Sequence, residues 1–321
     1  MSNRRAWAYF WLLSLIWGSS FLLMRVGVVE IPPAQLTFTR VGIAAVGMNI
    51  LLLLTRRRYP SDWRALLSLA VVGLGNTAVP FTLLAWGEQT VESGMTSIIQ
   101  AVTPVFALVI AHFAFVDERI TPTKILGIVL SFIGIVVLTS RDLQAVPLMG
   151  GEGSGLADLA GEFAIIGAAL CYAIFTSFSR KVLQRHKVDP VVVSGATMTA
   201  ATIGAGLMMF AAPLIGERAP VAYDSLSRDV LLSGLALGFF NTFLAYLLFY
   251  QVVAKLGASR STMVTYVVPV VAITLGALVL NETIDARMLL GAALILGGIG
   301  LANVRLRLSW REGVGAAKPA Q

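Results

Sequence analysis

The sequence predicts an all-α integral membrane protein, with ten transmembrane helices arranged as two inverted five-helix repeats. Three observations carry that expectation. Of the 321 residues, 57% are hydrophobic and only 13% charged, too apolar for a soluble globule whose surface must be mostly polar. Ten apolar runs have about the 20-residue length that a spanning helix needs. Finally, Gly-x-x-Asn-Thr occurs twice inside such runs, as GLGNTAVPF at 73–81 and GFFNTFLAY at 238–246, an offset of 165 residues.

The runs cover 7–29, 33–54, 66–86, 95–116, 122–140, 163–178, 191–212, 230–253, 261–280 and 288–304. None alternates as a barrel strand does, and helices are the other way to satisfy a backbone in lipid. The first run is too long for a signal-peptide core and lacks a small-x-small cleavage site, so it counts as the first span. The stretch 141–161 is rich in Gly, Ala and polar residues and reads as an external linker, and 309–321 reads as a cytoplasmic tail. Four parts are therefore expected: a first repeat over 1–140, the linker over 141–161, a second repeat over 162–308 and the tail over 309–321.

The net charge of +7 is explained by topology and calls for no nucleic-acid partner. Of the 24 Lys and Arg residues, eighteen fall in segments that are cytoplasmic if the N-terminus is inside, five fall outside, and Arg40 alone lies within a span. This asymmetry predicts both termini in the cytoplasm of a multi-pass inner-membrane protein. The single cysteine, Cys171, cannot form an internal disulfide. The two histidines have no metal-binding spacing, and no cofactor is expected.

At the 165-residue offset, Gly73, Asn76 and Thr77 map onto Gly238, Asn241 and Thr242, Phe81 onto Tyr246, and Ser97, Gln100 and Pro104 onto Thr262, Thr265 and Pro269. With one deletion the correspondence continues, pairing Glu118 with Glu282. Trp17 to Arg25 more weakly resembles Tyr172 to Arg180. Five spans per repeat is an odd number, so the second half enters the membrane from the opposite face. Inverted repeats of this kind place a binding site near the midplane of secondary transporters.

The span-four block SGMTSIIQAVTPVFALVIAHFAFVDERITPTKILG, its partner from LGASRSTMVTYVVPVV to NETIDARMLLG, and the opening WGSSFLLMRVG resemble the two EamA domains of the drug/metabolite transporter superfamily. The resemblance covers nearly the whole chain. It implies a ten-helix exporter of metabolites, amino acids or xenobiotics, nearest to the YddG-like exporters of aromatic amino acids.

Helical spacing places small, polar and aromatic residues on one face of the third, fourth, eighth and ninth runs. Asn76, Ser97, Gln100, Asn241, Thr262 and Thr265 are the expected polar contacts of a substrate, and Trp17, Phe21, Phe81, Tyr172 and Tyr246 the apolar walls. The amides have a competing reading as interhelical glue, and the glycines as points of close approach. Arg40 either snorkels to the outer interface or receives a substrate carboxylate. Pro104 and Pro269 read as matching bends. Glu118 and Glu282 each precede a helix start, which suggests that each caps the helix that follows or pairs with an arginine.

No carboxylate falls in the middle of a span, which favours uniport or exchange, and Glu88 is the one candidate proton carrier. The expected partners are a small-molecule solute and the lipid bilayer, with the protein acting as a monomer. Three other readings stand beside this one: a proton-coupled multidrug exporter, a channel or scaffold, and a membrane enzyme. The enzyme is disfavoured because no paired carboxylates or poised histidine are present.

Overall fold

The structure, a computed structural model, describes residues 3–115, 120–145, 154–186 and 188–303. Glu118 and the tail 309–321 lie outside these residues. The described residues form helices and connecting turns, without strands. Nine helices among them are long and apolar enough to cross a bilayer, and a shorter apolar helix completes ten spans. Spans 1 to 5 are Asn3–Gly27, Pro33–Leu54, Trp63–Gly87, Ser93–Ala114 and Pro122–Ala145. Spans 6 to 8 are Ser154–His186, Pro190–Ala211 and Arg228–Leu256. Span 9 is the single turn Ala258–Ser261 followed by Val264–Val279, and span 10 is Ala286–Asn303. Helix reaches Ala145 on one side of the expected linker and begins again at Ser154 on the other. The Ala and Leu residues of 154–161 support a helix although the stretch is polar.

Local chemistry starts several of these helices. The Asp62 carboxylate accepts from the Arg64 N–H (2.9 Å) at the head of span 3, and Asp189 accepts from Val191 N–H (2.9 Å) at the head of span 7. Pro190 occupies the first turn, where its missing N–H removes no helical bond.

Packing follows the duplication. Span 2 lies along span 7 and span 5 along span 10, each against its own repeat mate, while the pair 1 and 9 has its counterpart in 6 and 4, and the pair 3 and 6 in 8 and 1. A pseudo-two-fold axis relates the halves.

In both halves the repeated motif widens its helix into a π turn, over Leu74–Ala78 in span 3 and Phe239–Leu244 in span 8. Such wide turns often mark functional positions. The motif glycines set the helix spacing. A Cβ on Gly73 would lie 2.3 Å from the Thr197 carbonyl oxygen of span 7, and one on Gly238 would lie 2.6 Å from the Ile43 Cβ of span 2.

The two prolines do not have matching roles. Span 4 breaks after Gln100, and Pro104 sits in the first turn of the next helix, Thr103–Ala114. Span 9 breaks between Ser261 and Val264, and Pro269 lies inside a continuous helix. The break in the second half therefore precedes its proline by about a turn and a half of helix.

Candidate functional site

The best-defined polar centre joins the two halves and is built around Arg40 of span 2. In the wide turn of span 8, the Thr242 hydroxyl donates to the Leu237 carbonyl (2.8 Å). Its single proton is thereby used, so its lone pairs accept the Arg40 Nε–H (2.9 Å). The guanidinium carbon lies 3.8 Å from the Phe81 ring centroid, a cation–π contact that desolvation strengthens. Tyr172 meets Phe81 edge to face at 6.4 Å, and the Tyr246 hydroxyl is in hydrogen-bonding reach of Thr77. Phe81 and Tyr246 are repeat mates, as are Thr77 and Thr242. The duplication thus builds a symmetric frame, and the unduplicated Arg40 is set into it.

Arg40 is 5% exposed, so it does not snorkel to the interface. Among the described residues only its Nε has a hydrogen-bond partner. The two terminal nitrogens keep their donors, in the fork geometry that matches a carboxylate.

The other expected site residues are distributed around this centre. Phe21 is buried in the same apolar cluster as Phe81. Trp17 tilts against Phe249 (5.4 Å) in a separate cluster. Asn241 is buried and its two Nδ2 hydrogens are shared among the Ser19 Oγ (3.1 Å), the Ser20 Oγ (3.0 Å) and the Ile16 carbonyl, tying span 8 to span 1. The Asn76 Oδ1 accepts from the Thr176 hydroxyl (3.1 Å). Ser97 donates to the Gly94 carbonyl (2.6 Å), and the Gln100 Nε2 to the Thr103 hydroxyl (3.2 Å). Thr262 and Thr265 are exposed, and the Thr265 hydroxyl is turned back to the Thr262 carbonyl (2.7 Å).

Exposure breaks the symmetry between the halves. The start of span 4, from Ser93 to Ile99, is buried throughout. At the repeat-equivalent start of span 9, Thr262, Met263 and Thr265 are exposed. The face opposite the termini, called distal here, is closed around the head of span 4.

The segment 212–227 closes the distal face. The Arg218 Nη2 donates to the Val28 carbonyl (2.9 Å) and Nη1 to that of Val29 (3.3 Å). Glu217 accepts from the Trp86 indole N–H (2.8 Å). Gln35 and the Val221 backbone exchange two bonds (2.7 and 2.8 Å), and the Tyr223 and Thr39 hydroxyls meet at 2.7 Å. No motif in the sequence marks this strap, because every partner is remote in the chain.

Glu282 completes the closure and corrects an expectation. Its carboxylate accepts from Ser93 N–H (2.7 Å), Ser93 Oγ (2.9 Å) and Gly94 N–H (3.0 Å). It therefore caps span 4 of the other repeat, where the helix dipole favours an anion, and not the helix that follows it. Glu282→Ala should lower stability by about 1.5–3 kcal/mol, the size of lost hydrogen bonds to a charged group. A thermal-melting scan of the purified protein measures this, and an unchanged midpoint would show that the cap carries no weight.

Glu88 was also only partly legible. It follows Gly87 at the distal end of span 3 and is 0% exposed, and neither carboxylate oxygen has a hydrogen-bond partner. The Arg25 guanidinium donates to its backbone carbonyl. Burial pushes its carboxyl well above the usual range, while Arg25 pulls the other way. Among the described residues no group of three His, Cys, Asp or Glu side chains is placed to hold a metal.

Ten spans in two inverted halves around one buried cationic and aromatic centre define a helical membrane transporter. The sequence profile of the EamA-like transporter family matches residues 5–140 and 159–304, and the chain belongs to that family. It is 27% identical to the uncharacterized inner membrane transporter YedA of Escherichia coli K12, over 91% of this chain and 88% of that one. It is 25% identical to a probable amino-acid metabolite efflux pump of Salmonella typhimurium LT2, over 90% and 91% respectively. One crystal structure superimposes with a TM-score of 0.60 at 18% identity, covering 94% of this chain and 97% of that one, and shares the fold.

Proposed function

We propose that the protein exports small amphipathic metabolites, foremost neutral and aromatic amino acids, across the inner membrane by alternating access between its two halves. The observation that carries this reading is Arg40, a buried cation with open terminal donors, standing among Phe81, Tyr172 and Tyr246. A carboxylate would pair with the guanidinium fork while an apolar or aromatic body rests on the rings. The basic asymmetry of the loops supports cytoplasmic termini. In that orientation the closed distal face is the outer one, which fits an exporter that takes its solute from the cytoplasm. The name of the Salmonella relative and the resemblance to YddG-like exporters point to the same solutes. A monomer in the bilayer suffices, since both halves of the site lie in one chain.

Proton-coupled export of organic cations is the second reading, and the buried Arg40 disfavours it because a cationic solute would meet a like charge without water to screen it. Proteoliposomes loaded with unlabelled L-phenylalanine should accumulate labelled L-phenylalanine in saturable counterflow and should not accumulate tetraphenylphosphonium. Linear, unsaturable flux would indicate a channel, and accumulation of the cation alone would replace this reading with the second.

A further inference from the structure

We infer that Glu88 is a proton-binding site of the transport cycle, occupied while the distal face is closed and emptied to the outside when that face opens. The inference rests on the alternating-access reading above but not on the identity of the solute.

Three features point to it. The carboxyl is wholly buried and neither oxygen has a partner, an arrangement a carboxylate sustains in its neutral form. It follows the last residue of the helix Val79–Gly87, where the negative end of the helix dipole disfavours a second negative charge. Its repeat mate at the 165-residue offset is Val253, so the shared architecture does not require a carboxyl there.

The charges around it come from several elements. Arg25 of span 1 and Arg40 of span 2 favour the anion, and Glu282, ahead of span 10, opposes it. The Arg25 Nη1 is engaged by the Glu88 main-chain carbonyl, and Glu282 by the head of span 4. On span 6, Tyr172 lies beside Arg40, and the buried Glu162 follows Gly161, which abuts Gly87 and Thr90. On the strap, Glu217 holds Trp86 and Arg218 reaches Gln89 (3.4 Å). Glu92 stands on the same loop as Glu88. None of these side chains is hydrogen-bonded to the Glu88 carboxyl oxygens.

Opening the distal face admits water to the carboxyl, which then ionises and lies within reach of two arginines. Closing the face requires the proton back. The sign follows from linkage: the closed state binds the proton and the open state does not, so acid outside favours closure and alkali outside favours opening.

Ser97→Cys in a Cys171→Ala background provides a thiol at a distal position that is 1% exposed in the closed state. In proteoliposomes, its labelling by a membrane-impermeant maleimide should rise with outer pH more steeply than in the same protein carrying Glu88→Gln, which copies the protonated carboxyl. The ratio of the two rates removes the thiol's own pH dependence. That ratio should grow by up to about tenfold per pH unit, the ceiling for one linked proton. Infrared difference spectra of the protein with native Ser97 and Cys171 should show the carbonyl stretch of a protonated carboxyl that Glu88→Gln removes.

A pH-independent ratio overturns the link to the distal gate. Absence of the infrared band overturns the proton site itself, whether or not the protein transports. Failure of L-phenylalanine counterflow with both signatures intact overturns only the proposed solutes.

Discussion

Arg40→Met should abolish most amino-acid transport while leaving the protein at least as stable as before. Methionine keeps the length and apolar body of the side chain and removes the fork. The lost charge-assisted hydrogen bonds to a carboxylate are worth about 1.5–3 kcal/mol, so L-phenylalanine counterflow should fall by about tenfold or more. Stability should move the other way or stay level, because replacing a desolvated charge by an apolar group of similar volume is often neutral or favourable. Among the described residues the only hydrogen bond forfeited is the one to Thr242, whose hydroxyl still donates to the Leu237 carbonyl. Arg40→Lys should fall between, since an ammonium keeps the charge but not the two parallel donors. Counterflow and thermal melting on the same preparations decide the matter: a variant that melts early and transports normally per folded molecule would make Arg40 a packing residue.

Gly73→Ala should have the largest effect on stability. The added Cβ would sit 2.3 Å from the Thr197 carbonyl oxygen and 3.0 Å from its carbonyl carbon and Cα. These are backbone atoms, which no rotamer change can move aside, so spans 3 and 7 must separate beside the wide turn. Overpacking of this kind costs about 1–3 kcal/mol and sometimes more, which should appear as a fall of several degrees in the melting midpoint. Gly300→Ala is the matched control. A Cβ there meets nothing within 4 Å, and the better helix propensity of alanine should leave the midpoint level or slightly raised. Equal midpoints for the two variants would show that the contact between spans 3 and 7 yields freely.

The fate of the duplicated amides shows how far residue type could be read alone. An amide in an apolar run announces that several donors and acceptors need partners, which is visible in the sequence. Whether those partners are a solute or a neighbouring helix is not. Asn241 spends its Nδ2 on span 1, while among the described residues the Asn76 side chain is bonded to the Thr176 hydroxyl alone. Two copies of one motif thus have different surroundings because the remote segments packed against them differ.

The sequence by itself determined the ten spans, the odd-numbered repeat and therefore the inversion, because lipid leaves a backbone few alternatives and each span must carry its own apolar run. It also marked the glycines at which helices meet. Only the tertiary structure decided that Arg40 turns inward onto Phe81 and Thr242, that Glu282 caps span 4 of the opposite half, that the strap 212–227 shuts the distal face, and that Glu88 is left without a partner. Each of those outcomes joins groups from chain segments far apart, and no local period or spacing encodes which remote group will arrive to complete a hydrogen bond or exclude water.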